Sequence, residues 1–262
     1  MIRENYHTHT YLCRHAVGKI EDYIKEAIRH NFHSLGISDH GPLENAGFKR
    51  MTIEEFYSVY LAEFKKCYDK YSDQINLYIG LEIEYVSGMN EYYEKLLKAV
   101  DYLILGPHYY SSKTLNIDTS IYNINTPQIL EEYVTMIEEA LSTKYFKILA
   151  HPDIFLLGYN KWDKNVEDAI RRICKACIDN NVMLECNANG YLKGVRDFGI
   201  FKDFAYPNSR FFKIVSEYKD IKVLVSSDAH SPKDLKKDMD ITYSMLEDLG
   251  ITPITYPFGK RR

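Results

Sequence analysis

The amino-acid sequence predicts an α/β barrel in a single domain. Strand-like and helix-like segments alternate in seven units along the 262 residues, with no evident linker between them, and strands alternating with helices form parallel sheets. The length is close to the ~250 residues typical of a closed α/β barrel. Most histidines and several acids fall at the ends of predicted strands, where such barrels carry their chemistry.

Composition and charge limit the function classes. The chain carries a net charge of −4 and is 45% hydrophobic, whereas nucleic-acid binders usually display a basic stripe. No apolar run approaches the ~20 residues that span a bilayer, and no signal-peptide pattern precedes Tyr6. We therefore expect a soluble, cytoplasmic protein that has neither nucleic acid nor membrane as a partner.

The first strand carries the most informative pair of residues. Two histidines at i and i+2, His7 and His9, point the same way only on extended backbone, because side chains alternate along a strand. His15 follows six residues later. Convergent imidazoles with a third nearby predict a metal site, although a single His-X-His also occurs by chance.

Helices between the strands are predicted from apolar periodicity and capping signals. An amphipathic stripe marks the first helix, over residues 20–28. Thr52 with Glu55 forms a capping box that opens the next helix, and Thr126 with Pro127 gives N-cap and first-turn signals further on. The other predicted helices lie at about 91–100, around Cys174 and Cys177, at about 209–218 and at about 232–249.

The Cys-X-X-Cys pair on one of these helices is interpreted as core. Ile170, Ile173, Cys174, Cys177 and Ile178 repeat at the spacing of one buried helix face. The five cysteines of the chain show no disulfide-like spacing.

Strands are predicted from alternation and from short apolar runs. Alternation is cleanest over residues 77–83, where Leu or Ile occupies every second position. The other strands after the first are predicted at 34–38, 102–105, 148–150, 182–186 and 222–226. Two segments, 111–125 and 191–208, are predicted to be irregular connections.

Candidate site residues follow the ends of these strands. Seven of the nine histidines belong to the set, whereas His30 and His33 are interpreted as helix caps or surface residues. Imidazole with carboxylate and without thiolate suits Zn, Mn or Fe, and the set exceeds the ligands of one tetrahedral ion, so we expect a multinuclear site. The residues are His7, His9, His15, Asp39, His40, Glu82, His108, His151, Asp153, Asn187, Asp228 and His230.

These motifs resemble the polymerase and histidinol phosphatase (PHP) superfamily of metal-dependent phosphoesterases. The matching residues are His7-Thr8-His9, His15, Asp39-His40, Gly80-Leu81-Glu82, Gly106-Pro107-His108, Ala150-His151-Pro152 and Ser227-Asp228-Ala229-His230. The resemblance covers essentially the whole chain, as one domain over residues 1–262. It implies a distorted seven-stranded (β/α)7 barrel of the TIM type, with the metal site at its C-terminal rim. Residues 185–190, Arg196 and Tyr206-Pro207 are similar to the stand-alone histidinol-phosphate phosphatases of the group.

The resemblance implies three divalent metal ions and a division of the ligands among them. The first ion would be held by His7, His9, Glu82 and Asp228. The second would be held by Glu82, His108 and His151, and the third by His15, His40 and His230. Glu82 would bridge the first two ions; Glu84, on the same strand face, is its rival, and spacing alone does not separate the two.

The implied reaction is hydrolysis of a small phosphate ester, L-histidinol phosphate, to L-histidinol and phosphate. A water bridging the first two ions, whose ligands include Glu82 and Asp228, would lose its proton and attack phosphorus, since the pKa of bound water can drop to ~7 on one zinc ion. Arg196 is the candidate phosphate clamp, with an ordinary surface arginine as the alternative. Asp39 and Asp153 either orient neighbouring histidines or protonate the leaving alkoxide.

The substrate side of the implied site includes His15, His40 and Asn187. Asn187 either lines the pocket or is a buried structural amide.

Two other functions stay open. A PHP phosphoesterase can act on another small phosphate ester or on a nucleotide, whereas a DNA-directed exonuclease fits the acidic balance less well. A degenerate PHP module kept for binding should have lost ligands, and here all nine ligand positions are filled.

Overall fold

The computed structural model describes residues 3–43, 49–115 and 117–259, and within them seven parallel strands form the central sheet. The first and last strands of this sheet are joined by the bridge between Thr8 and Ala229, where His9 N donates to Ala229 O over 2.9 Å. The sheet is thereby nearly closed, with helices between consecutive strands. The predicted seven-stranded, TIM-like barrel is confirmed.

Most boundaries of the barrel strands lie within about two residues of the predicted boundaries. In sheet order they are β1 Glu4–Asn5, β2 Ser34–Ile37, β3 Asn76–Ile83, β4 Tyr102–Leu105, β7 Phe146–Leu149, β8 Met183–Asn187 and β11 Val223–Ser226. The α-helices are α1 Ile20–Arg29, α2 Ile53–Glu55, α3 Leu61–Tyr71, α4 Asn90–Leu97, α5 Pro127–Ser142, α6 Lys164–Asn180, α7 Ser209–Val215 and α8 Met239–Asp248. A π-helical segment, Phe56–Tyr60, joins α2 to α3.

Two helices begin with the N-terminal capping interactions that the sequence predicts. Glu55 N donates to Thr52 Oγ1 over 3.1 Å, and Thr52 N donates to Glu55 Oε2 over 2.9 Å, which completes the predicted capping box. Thr126 caps α5 through Ile129 N. All five cysteines are buried free thiols, so the interpretation of the pair on α6 as core is confirmed.

Three predicted segments differ from the structure. The segment 111–125 is not an irregular connection, because β5 Tyr109–Ser112 pairs with β6 Ile117–Ser120 in a hairpin. A second hairpin, β9 Val195–Asp197 with β10 Lys202–Phe204, lies within 191–208. The last predicted helix is divided into a 3-10 turn, Pro232–Asp234, and α8, because Asp238 just before α8 has a left-handed φ of 56°.

The amino-terminal end of the barrel is filled by aromatic side chains. Tyr6, Tyr78 and Tyr102 are buried there, and the ring of Phe258 stacks on Tyr102 at 4.7 Å. Tyr102 also donates to Tyr6 O over 2.7 Å. A Cβ at Gly80 would lie 2.5 Å from Tyr102 Cζ, so this position requires glycine for the ring to fit.

The C-terminal segment covers this filled end of the barrel. Ile254 N donates to Val223 O over 2.8 Å, and Tyr256 N donates to Glu4 Oε2 over 2.7 Å. The opposite, carboxyl-terminal end of the strands is therefore the open one. Among the described residues, no helix is both long and apolar enough to cross a bilayer. A single domain over residues 1–262 stays a prediction.

Candidate metal centre and active site

The carboxyl-terminal ends of the barrel strands bring the nine predicted ligands together. The sequence predicts His7 and His9 on the first strand, but β1 ends at Asn5, so both residues follow it. Their Nε2 atoms converge as predicted, 3.1 Å apart. Glu82 is on β3, and the remaining ligands come from segments that follow the barrel strands. These are His15, His40, His108, His151, Asp228 and His230.

Glu82 lies at the centre of the cluster and is buried. Its Oε2 is 3.3 Å from His7 Nε2 and 3.0 Å from His40 Nδ1. Its Oε1 is 3.1 Å from His151 Nε2 and 3.3 Å from His108 Nε2. The two carboxylate oxygens thus face different imidazoles, an arrangement in which one carboxylate can contact two cations.

Within the described ranges, the ligand atoms fall into sets whose members lie within 4.8 Å of one another. Three of these sets follow the predicted division: His7, His9 and Glu82; Glu82, His108 and His151; His15, His40 and His230. A fourth set combines His9 and His230 with Cys13. Burial raises the pKa of the Cys13 thiol to about 12, and a protonated thiol is a poor metal ligand.

Asp228 gives the clearest indication that the residues fit a cation. Its Oδ1 is buried and accepts no hydrogen bond of good geometry, yet it lies 2.9 Å from His9 Nε2 and 3.6 Å from His7 Nε2. Asn187 and Asn189 each donate to its Oδ2 over 3.3 Å. A buried acceptor oxygen among imidazole nitrogens is the donor set that Zn, Mn or Fe ions prefer.

Two histidines of the third set have their tautomers fixed by backbone carbonyls. His15 Nδ1 lies 2.8 Å from Cys13 O, and His230 Nδ1 lies 3.0 Å from Asp228 O. Because a carbonyl only accepts, each Nδ1 carries the proton and each Nε2 carries a lone pair. That is the form in which imidazole binds a metal.

Glu84 lies behind the cluster rather than within it. It pairs with Arg50, whose Nη1 is 2.9 Å from Glu84 Oε2, and it lies 3.3 Å from His108 Nδ1. Spacing could not separate Glu82 from Glu84, but the geometry does: the oxygens of Glu84 contact Arg50 and His108, whereas those of Glu82 face both imidazole sets.

Glu185 is a buried residue to which the sequence analysis gave no role. It accepts from His7 Nδ1 over 2.8 Å, from His151 N over 2.8 Å and from Asn187 Nδ2 over 2.9 Å. The available signal was the i, i+2 spacing of Glu185 and Asn187, which puts both side chains on one face of β8. That face is directed into the barrel.

The predicted supporting residues Asp39 and Asp153 do not line the cavity. Asp39 Oδ1 is 3.5 Å from His9 Nδ1, and Asp153 Oδ2 accepts from Asn208 N over 2.8 Å. Neither lines the cavity above the cluster, so the structure offers neither as a proton donor to a leaving alkoxide. Asn187 is fully buried behind Asp228 and does not line the cavity, which favours the alternative of a structural amide.

Above the cluster is a cavity of about 470 Å³ whose lining includes His15 and His40. Arg196, the predicted clamp, lies on the hairpin strand β9 and is not on the cavity wall. The cationic side chains on the wall are instead Lys193 and Lys237. Further lining residues are the acids Asp234 and Asp238, the aromatic Tyr122 and Tyr206, and the apolar Ile154, Leu157 and Leu192.

The charges of the cluster perturb its own titration. Burial opposes ionisation of Glu82, yet the imidazoles around it, above all those of His108 and His7, hold the pKa of its carboxyl well below the usual value. Burial alone would lower the pKa of His9, but Asp228 and Asp39 raise it to about 9. Burial lowers the pKa of His230 to about 4. Strongly shifted groups that converge beneath a cavity are typical of an active site.

Backbone strain is also concentrated here. His151 has a φ of 28° and Asp228 a φ of 47°, a region that residues other than glycine rarely occupy. Such conformations persist where surrounding contacts impose them, often at functional sites.

Comparison with known proteins identifies the family. The family model described as the PHP domain matches residues 5–189. This chain belongs to the PHP domain family. A probable histidinol-phosphatase from Schizosaccharomyces pombe is 24% identical to this PHP protein over 274 residues, covering 95% of this chain and 87% of the relative. A probable histidinol-phosphatase from Deinococcus radiodurans is 23% identical over 262 residues, covering 97% and 96% of the two chains.

A solved structure confirms the fold of this PHP protein. Histidinol phosphate phosphatase from Lactococcus lactis, in complex with zinc, L-histidinol and phosphate, is similar with a TM-score of 0.74. The two sequences are 14% identical, and the match covers 99% of each chain.

Proposed function

We propose that this PHP protein is a metal-dependent phosphomonoesterase that hydrolyses L-histidinol phosphate to L-histidinol and phosphate. The observation that carries the proposal is the convergence of seven imidazoles, Glu82 and Asp228 beneath one open cavity. Both relatives matched over nearly the whole chain are named probable histidinol-phosphatases. The similar Lactococcus lactis structure contains zinc, L-histidinol and phosphate, which supports the same substrate here.

The metal ligands of the proposal are the nine clustered residues. Three divalent ions, of Zn, Mn or Fe, would be held by the three predicted sets, with Asp228 joining His7, His9 and Glu82. When bound, such ions acidify water and neutralise charge on the phosphoryl oxygens. Glu82 contributes by holding two sets of imidazoles at a fixed separation through its two oxygens.

Residues on the cavity wall match a substrate that carries both signs of charge. Lys193 and Lys237 would attract the phosphate dianion towards the cluster, the role that the sequence assigned to Arg196. Asp234 and Asp238 on the same wall would accept the ammonium group of an amino alcohol. Tyr122, which also lines the cavity, would stack on an imidazole.

A substrate panel tests the proposal. Phosphate release is measured from histidinol phosphate, nucleoside monophosphates and a phosphotyrosine peptide, with and without chelator and after reloading with zinc or manganese. We expect selective turnover of histidinol phosphate that chelator abolishes and metal restores. Comparable rates on nucleotides would favour the broader phosphoesterase function, and no turnover after reloading would favour a binding module. Cytoplasmic location stays a prediction.

A further inference from the structure

Glu185 lies beneath the ligand cluster, in the middle of β8, and its side chain is completely buried. Its Oε1 is 2.8 Å from His7 Nδ1, and its Oε2 is 2.8 Å from His151 N. Its partners belong to different ligand sets, because His7 lies on one side of Glu82 and His151 on the other. Glu185 therefore links both sides of the cluster from below.

All the partners of Glu185 are hydrogen-bond donors. The peptide N–H of His151 and the amide Nδ2 of Asn187 can only donate, and both point at Oε2. An ionised carboxylate can only accept, so His7 Nδ1 must carry a proton. Because His7 Nε2 faces the other ligands, Nδ1 is the nitrogen that donates to Glu185 Oε1.

This tautomer determines what His7 can bind. With the proton on Nδ1, the lone pair of His7 is on Nε2, which faces Glu82 Oε2 at 3.3 Å and Asp228 Oδ1 at 3.6 Å. The same carboxylate holds the peptide of His151 in its strained conformation, with φ at 28°. Loss of the carboxylate would therefore affect ligands on both sides of Glu82.

We propose that Glu185 is the positioning residue of the metal cluster, which fixes His7 in the tautomer that binds metal and holds the backbone of His151 in place. The inference rests on the proposed metal cluster, but not on the identity of the substrate. It goes beyond the ligands because Glu185 does not line the cavity above the cluster and acts through His7, His151 and Asn187.

Glu185→Gln is the most informative variant, since it keeps the shape of the side chain and replaces one acceptor oxygen with an NH2 group. The amide oxygen would face His151 N and Asn187, so the amide NH2 would face His7 Nδ1. His7 would then accept at Nδ1 and carry its proton on Nε2, where a metal ion must bind. We expect one zinc equivalent to bind about 10- to 100-fold more weakly, the loss typical when a hydrogen-bond partner of a ligand is removed.

Zinc binding is measured by competition with a chromophoric chelator, together with the number of zinc equivalents retained. The matched control is Glu4→Gln, because Glu4 is also a buried, hydrogen-bonded carboxylate but lies at the opposite end of the barrel. We expect the control to bind zinc like the wild type. An unchanged zinc isotherm in Glu185→Gln, or an equal loss in the control, would overturn the proposal.

A second variant keeps the test decisive if Glu185→Gln does not fold. Glu185→Asp retains two acceptor oxygens but is one methylene shorter, so we expect zinc affinity between those of the wild type and the Gln variant. Wild-type zinc affinity in Glu185→Asp would overturn the proposal. Because zinc binding is read without substrate, failure to hydrolyse histidinol phosphate would count against the proposed function alone.

Discussion

Arg50 and Glu84 form an ion pair in the protein interior. Arg50 Nη1 lies 2.9 Å from Glu84 Oε2, and the two side chains are only 6% and 4% exposed. Arg50 also donates over 3.0 Å to the carbonyl oxygen of Gly41, the residue directly after His40. The pair therefore stabilises the segment that carries one proposed ligand and lies against another, His108.

Replacement of Arg50 tests the importance of this pair. We expect Arg50→Met to lower the free energy of unfolding by about 3–5 kcal/mol, because it leaves the Glu84 carboxylate buried without a counter-charge. Guanidinium denaturation measures the change. Arg14→Met is the control, since its pair with Glu55 is partly exposed, and it should cost at most about 1 kcal/mol. Equal losses in the two variants would contradict a special role for burial.

Glu82→Gln should remove most of the phosphatase activity. The amide can present only one acceptor oxygen, so it cannot serve both imidazole sets, and its NH2 would face His108 and His151 or His7 and His40. We expect kcat to fall at least about 10²- to 10³-fold, the scale seen when a group that stabilises transition-state charge is lost. Steady-state kinetics and metal analysis of the same sample check this. Wild-type kcat with a full set of ions would refute the central position of Glu82.

Kinetics can distinguish whether Arg196 or a lysine on the cavity wall binds the substrate phosphate. Lys237→Ala should raise KM for the phosphate ester by up to about five-fold, the equivalent of one exposed charge pair, because Lys237 lines the cavity. Arg196→Ala should leave both KM and kcat unchanged. The opposite pattern would restore Arg196 as the clamp that the sequence predicted.

Any larger residue at Gly80 should destabilise the barrel. A Cβ there would lie 2.5 Å from Tyr102 Cζ, inside the barrel, and overpacking of this kind typically costs about 1–3 kcal/mol. We expect Gly80→Ala to lower the unfolding free energy by that amount, measured by denaturation. Adding Tyr102→Leu should make the two losses less than additive; full additivity would show that the ring is not the obstacle.

The buried carboxyl of Glu4 should make the free energy of unfolding depend on pH. Burial raises the pKa of its carboxyl in the folded protein, only partly offset by hydrogen bonds from Tyr256 and Ser34. The folded state therefore binds the proton more tightly than the unfolded state, and stability falls as pH rises from the unfolded pKa through the folded one. We expect Glu4→Gln to lose less stability than the wild type as pH rises above the unfolded pKa of about 4.3. Parallel pH profiles from denaturation would contradict this.

Sequence reasoning reached the barrel and the cluster because both depend on regular spacing. Alternation defines β3, and the His-X-His pair converges only on extended backbone, so His7 and His9 identify the site. Three of the four residues of the hairpin strand β6 are polar, and the strand lies outside the barrel sheet, so apolar alternation does not mark it. Glu82 and Glu84 share a strand face, and only tertiary contacts with Arg50 distinguish them. Lys237 reaches the cavity through the turn before α8, a placement that no local pattern encodes.

The bridge between Thr8 and Ala229 joins the two ends of the barrel sheet. A chain that emerges from the ribosome presents His7 and His9 long before Asp228 has been translated. The imidazoles of the nascent chain are therefore available to bind metal ions before Asp228 has been synthesised. Closure of the barrel, and with it the complete set of ligands, has to await nearly the whole of synthesis.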